Sequence, residues 1–294
     1  MADPQHWLIT GASSGIGRLA AERLQQQGHR LTVICRSQQR ADQTLGWLTG
    51  ESRLLLADLA DLDQVQAVGQ ALRQRDDALD GLLLNAGLQY AGHRQVRWSA
   101  QSLELTIAVN HLAHQRLVMD LLPLLLRSLT PRLVITASEV HNPASGGGRV
   151  GRPAGLGDLS GLKKHSEMVN GERPFDADKA YKDSKLCNLL MGRHLAQLHP
   201  QLPVICWSPG LVIPRGRDGF FRNSREANPL GQALFGFVAR DLLRLTEHPQ
   251  RAAELLERLV LDPAMPLGFS YWSNTLLGPG RHRFERAETS AEAA

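Results

Sequence analysis

Thr10-Gly11-Ala12-Ser13-Ser14-Gly15-Ile16-Gly17 follows an apolar run, Trp7–Thr10, and leads straight into a helical pattern over 15–27. Strand, glycine-rich turn and helix in that order make a site for phosphate. Glycine lets the backbone turn tightly and approach a ligand, and the helix start offers unpaired N–H groups and a positive dipole end to a pyrophosphate. On this reading Gly11, Ser13, Ser14, Gly15, Ile16 and Gly17 cradle a dinucleotide. A second strand, Leu31–Cys35, ends at Arg36, 19 residues beyond Gly17. An acidic residue near there reads a free ribose 2′-hydroxyl, whereas an arginine accommodates a 2′-phosphate. Arg36, with Arg40 one turn on, therefore points to NADPH rather than NADH.

Outward from this turn the same rhythm continues. Short apolar runs at Leu54–Ala57, Gly81–Leu84, Leu133–Ala137, Val204–Trp207 and Phe269–Trp272 lack polar alternation, as do strands buried on both faces. Helical patterns near 61–76, 100–128 and 178–198 separate them. Parallel strands need crossover helices, so the expected class is α/β: a single-domain, doubly wound, Rossmann-type sheet of seven parallel strands. The domain is expected over 1–280, with 281–294 a flexible tail. Residues 141–177, rich in glycine and without periodicity, read as a lid-like insertion.

Composition narrows the partners. The chain has 294 residues, 43% hydrophobic, with a formal net charge of +4, which excludes a highly charged disordered chain and gives no argument for nucleic acid. Three cysteines with no C-x-x-C pair form no disulfide framework, so a cytoplasmic, reducing setting is expected. The start Met-Ala-Asp-Pro-Gln-His lacks signal-peptide features, and Leu117–Leu126 is interrupted by Asp120 and Pro123. His93, His111, His114, His141 and His165 show no compact ligand spacing, so no metal site is expected.

Tyr181 and Lys185 lie four apart in a helical pattern and share one face. An ammonium beside a phenol favours the phenolate, which would lower the pKa of Tyr181 and make it a proton carrier near neutral pH. Together with Asp58-Leu59, Asn85-Ala86-Gly87, Asn110, Ser138 and Pro209-Gly210, this pattern resembles the short-chain dehydrogenase/reductase family over nearly the whole chain. The resemblance implies that Asp58 and Leu59 line an adenine pocket. It implies cofactor contacts for Asn85, Ala86, Gly87, Pro209 and Gly210, with Lys185 and Tyr181 at the nicotinamide ribose. Ser138 would position a substrate oxygen, Tyr181 transfer a proton and Asn110 orient Lys185 through water.

One branch is resembled more closely. Gly157-Asp158-Leu159-Ser160-Gly161, Lys179–Asn188, Phe221-Arg222-Asn223 and Tyr271-Trp272-Ser273 are similar to light-dependent protochlorophyllide reductases, as is the separation of 43 positions between Ser138 and Tyr181. That implies hydride delivery from NADPH to a ring C=C bond of a tetrapyrrole. It also raises peripheral contact with a photosynthetic membrane and oligomerisation as open expectations. The branch has Cys where this chain has Leu211, and usually Thr where it has Ser138. Leucine donates no proton, so that role is absent or falls to Tyr181 or water. Cys187 lies about 240° around the helix from Tyr181 and, like Cys206, reads as a small buried hydrophobe. His141 reads as a solvated loop residue, and Phe220 and Phe221 as core, an apolar wall or a membrane-facing edge. Two alternatives stay open: a light-independent carbonyl reductase for a bulky apolar substrate, and a non-catalytic pigment-binding relative.

Overall fold

A computed structural model describes residues 3–75, 78–216 and 219–289. Eight strands form one sheet in the order β3-β2-β1-β4-β5-β6-β7-β8. They are β1 (His6–Thr10), β2 (Arg30–Cys35), β3 (Arg53–Leu56), β4 (Gly81–Leu84), β5 (Arg132–Thr136), β6 (Pro203–Ser208), β7 (Gly268–Gly278) and β8 (Arg281–Arg286). The first seven run parallel and β8 returns antiparallel to β7. The helices are α1 (Gly15–Gln26), α2 (Gln38–Leu45), α3 (Leu62–Arg75), α4 (Leu105–Ile107), α5 (Ala113–Leu125), α6 (Ser160–Lys163), α7 (Ala177–Leu198), α8 (Arg222–Ala227), α9 (Pro229–Gly236) and α10 (Pro249–Leu261).

Alternate residues of the central strands feed separate cores, which is why the strand runs lack polar alternation. In β1, Leu8 packs on one side, while Trp7 and Ile9 pack on the other. In β5, Leu133 and Ile135 oppose Val134 in the same way. One core includes residues of α3, α5 and α7, and the other residues of α1 and α10. Strand order reverses beside β1, whose neighbours are β2 and β4. The crevice at the carboxyl ends there is where doubly wound sheets bind ligands.

Three expectations need correction. The sheet has eight strands, not seven, and the expected tail forms β8 as far as Arg286. Gly278-Pro279-Gly280 turns the chain, and β8 alternates exposed Arg281, Arg283 and Glu285 with half-buried His282 and Phe284. Phe284 stacks on Trp272 with ring centroids 5.5 Å apart, so the strand has an apolar anchor under its charges. Residues 290–294 of that tail lie outside the described residues. The helix expected over 100–128 begins only at Leu105, because the Glu104 carboxylate accepts from the N–H groups of Thr106 and Ile107 at 2.9 and 2.8 Å and caps it. It is then interrupted by a π-turn at Ala108–Leu112. The insertion at 141–177 consists of turns and the single helical turn α6. Among the described residues no helix is long and apolar enough to cross a membrane.

Candidate active site

A cleft of about 1330 Å³ opens along the carboxyl ends of the strands. Single-ligand pockets span about 300–1,000 Å³, so this one has room for a dinucleotide and a second molecule. Every position expected to hold the cofactor lines it: Gly11, Ser13, Ser14, Gly15, Ile16, Gly17, Arg36, Arg40, Asp58, Leu59, Asn85, Ala86, Gly87, Tyr181, Lys185, Pro209 and Gly210.

The glycine turn is built by close approach of two loops. A Cβ on Gly11, whose φ is +74°, would lie 2.8 Å from the Ala86 Cα, and one on Gly17 would lie 2.3 Å from the Asn85 Nδ2. The Thr10 hydroxyl ties the loops by accepting from the N–H groups of Asn85 and Ala86, each at 3.0 Å. Gly15 has a φ of +61°, and a Cβ there would meet nothing within 4 Å, so the start of α1 faces open cleft. This cradle, with free N–H groups at a helix start, fits a pyrophosphate, and Arg36 and Arg40 stand on the wall where the ribose of a dinucleotide would reach.

Ser138, Tyr181 and Lys185 line the same cleft farther along. Asp176 caps α7, its carboxylate accepting from the Lys179 N–H at 2.9 Å, and so sets the phase that turns Tyr181 and Lys185 to one side. The Ser138 hydroxyl lies near the Tyr181 phenol and draws its pKa down. Burial nevertheless pushes the phenol pKa above its ordinary value. Burial also pulls Lys185 down to about 8. The expectation that the ammonium acidifies Tyr181 is therefore overturned: Lys185 Nζ sits 5.6 Å from the phenol ring centroid and donates to the Thr136 carbonyl at 2.9 Å. Desolvation outweighs that attraction.

Three hydrogen bonds hold the Asn110 side chain. It is buried in the π-turn, its Oδ1 accepting from Leu88 N–H at 2.8 Å and its Nδ2 donating to Leu88 O at 2.9 Å and Ser184 Oγ at 3.1 Å. Its side chain thus fixes Leu88 and α7. Its main-chain carbonyl meets His114 Nδ1 at 3.1 Å, and His114 Nε2 meets the Thr10 hydroxyl at 2.9 Å. Since that hydroxyl oxygen already accepts from two N–H groups, its proton goes to His114 Nε2, and Nδ1–H donates to Asn110 O. Burial holds His114 neutral, with a pKa of about 3. His114 therefore links the glycine turn to the π-turn, a role the sequence signals only by its position four residues past Asn110.

His141 is buried rather than solvated. Its Nδ1 meets Ser138 O at 2.6 Å, and its ring packs edge-on against Tyr271 with centroids 5.3 Å apart. Phe220 meets Tyr181 at 5.3 Å between centroids, and Leu211 packs with Phe220 and Phe221 on the apolar wall. Cys187 is buried and pushed up to about 12, and the buried Cys206 thiol is also raised, so neither offers a ready proton. Among the described residues no group of three or more His, Cys, Asp or Glu could hold a metal ion.

The short chain dehydrogenase family pattern matches residues 5–148. Protochlorophyllide reductase of Avena sativa is 34% identical over 285 residues, covering 90% of this chain and 88% of that one. The chloroplastic protochlorophyllide reductase A of Oryza sativa subsp. japonica is also 34% identical, covering 90% of this chain and 71% of that one. The chain belongs to the short-chain dehydrogenase/reductase family. A short chain dehydrogenase of Shigella flexneri 2a complexed with NADP superposes with a TM-score of 0.62 at 24% identity, covering 91% of this chain and 95% of that one. An alcohol dehydrogenase of Thermococcus sibiricus complexed with 5-hydroxy-NADP gives 0.63 at 20% identity, covering 92% and 96%. These two share the fold. This short-chain dehydrogenase/reductase is accordingly an NAD(P)-dependent oxidoreductase.

Proposed function

We propose that the protein is an NADPH-dependent reductase of a large, apolar, flat substrate, and that the reaction is the light-dependent reduction of a ring C=C bond of the protochlorophyllide type. The observation that carries this reading is the cleft itself. It exceeds what one dinucleotide needs, and beyond Tyr181 its wall is apolar, with Leu211, Phe220 and Phe235. The identity to protochlorophyllide reductases over 90% of the chain supports the same substrate class.

NADPH, when bound, supplies hydride. Gly11–Gly17 would hold its pyrophosphate, Arg36 and Arg40 its 2′-phosphate, Asp58 and Leu59 its adenine, and Asn85, Ala86, Gly87, Pro209 and Gly210 the floor beneath the nicotinamide end. Tyr181, protonated across the neutral range, donates its Oη proton to the carbon next to the one receiving hydride, which completes the addition across the double bond. Ser138 lies near the phenol, and Lys185 presents a positive charge at the ribose. The segment 141–150 walls the substrate end as a cover against water.

Leu211 favours a second reading, dark reduction of a ketone or aldehyde on a bulky apolar substrate, in which the Tyr181 proton goes to the carbonyl oxygen and no further donor is needed. One experiment separates them: absorption spectra of protein, NADPH and protochlorophyllide before and after a light flash. Conversion only after light supports the first reading. NADPH consumption in the dark on a carbonyl panel, without binding of the pigment, supports the second. Pigment binding without conversion in either case sinks both.

A further inference from the structure

Helix α7 carries more than Tyr181 and Lys185. Lys179, Lys182 and Asp183 interleave with them and are only 4%, 4% and 0% exposed. Charged groups are almost never buried this far without partners. Here the partners are main-chain groups of the insertion. Lys182 Nζ donates to the carbonyls of Gly148 at 3.2 Å, Arg152 at 3.0 Å, and Val150. An ammonium has three donors, and all are spent on alternate carbonyls of one five-residue stretch, which wraps around it. Gly155 is held on both sides: its N–H donates to Asp183 Oδ1 at 2.8 Å and its carbonyl accepts from Lys179 Nζ at 2.8 Å. Those two side chains pair at 2.6 Å, one helical turn apart.

The clamped stretch leads back into the cleft wall, where Gly147 and Val150 face the substrate end. Gly148 leaves no slack, since a Cβ on it would lie 1.8 Å from Asn142 O. The wall is thus referenced to the residue adjacent to Tyr181. We infer that Lys182 is a specificity-determining positioning residue: it fixes the Gly147–Val150 wall at a set distance from the Tyr181 phenol and so sets the width available to a bulky substrate. The kinetic half of this inference rests on the proposed function; the structural half does not.

The test compares Lys182→Met, which removes all donors, with Lys182→Arg, which keeps them. Arg149 is exposed within the wrapped stretch, and trypsin cleavage at the Arg149–Val150 bond, read by mass spectrometry, reports how often the stretch opens. With thermal midpoints within a few degrees, Lys182→Met is expected to be cut at least tenfold faster and Lys182→Arg to recover most of the protection. In turnover, Lys182→Met should raise KM for the bulky substrate at least tenfold, with kcat and NADPH affinity little changed. Lys182→Gln, which keeps volume and one amide donor group, replaces Lys182→Met should the latter not fold. Unchanged cleavage overturns the clamp. Faster cleavage with unchanged substrate KM overturns its role in specificity. A wild type that turns over no bulky substrate defeats the functional reading alone, and the cleavage rates still decide the clamp.

Discussion

Lys185 Nζ donates to the Thr136 carbonyl at 2.9 Å, so the ammonium beside the phenol is tied to the last residue of β5. Burial lowers its pKa from 10.5 to about 8. Reductase activity is therefore expected to fall as pH rises through about 8, where the positive charge is lost. Stability runs the other way. Between pH 8 and 10.5 the unfolded chain holds more protons than the native one, so stability rises with pH across that window and the full burial cost is present below it. That net cost is roughly 3 kcal/mol. Lys185→Met should be nearly inactive yet resist urea at pH 7 at least as well as wild type, with any advantage shrinking by pH 10. A large loss of stability at pH 7 would contradict this.

Tyr181→Phe removes only the hydroxyl near Ser138. General acid catalysis contributes about 10²–10⁴ in rate. The variant should lose that much of kcat, while fluorescence titration finds NADPH affinity within a few-fold of wild type. Retained kcat would mean that the proton comes from elsewhere.

Arg36 lines the cofactor cleft at the carboxyl end of β2. Arg36→Asp replaces a phosphate partner with a repulsive charge. Weakening of NADPH binding by ten- to a hundredfold, about 1.4–2.7 kcal/mol, is expected with little change for NADH. Equal affinity ratios in the two proteins would remove the basis for choosing NADPH.

His114 must stay neutral to hold Thr10 and Asn110 together. Its native pKa of about 3 lies below the ordinary 6.5, so stability is lost as pH falls below 6.5. At pH 5 the loss amounts to about 2 kcal/mol for this residue. Urea unfolding at pH 7.5 and 5 should show that difference in wild type and not in His114→Gln.

The parts of the fold that depend on neighbours in sequence were readable from it. Leu82, Leu83 and Leu84 form a strand with no polar position because both faces are covered, and the Gly11–Gly17 turn announces itself by glycine spacing. What could not be read depends on distant partners. Lys179, Lys182 and Asp183 carry charges that suggest a solvated face, and only main-chain groups 24–34 residues upstream, carbonyls for the lysines and the Gly155 N–H for Asp183, explain their burial. His141 reads as a loop residue in the sequence because nothing nearby announces Tyr271, 130 positions later, against which its ring packs. The acid strength of Tyr181 escapes the sequence for a related reason: spacing gives the proximity of Lys185, while desolvation is a property of the folded cleft.

The antiparallel return of β8 finishes the sheet with an outward row of Arg281, Arg283, Glu285 and Arg286. A bare β7 would offer eleven residues of chain to any neighbour able to add a strand. With that margin sealed by a short, mostly cationic ribbon, strangers attempting to zip on would bring like charges together, and crowded molecules are kept from stacking edge to edge into fibrils.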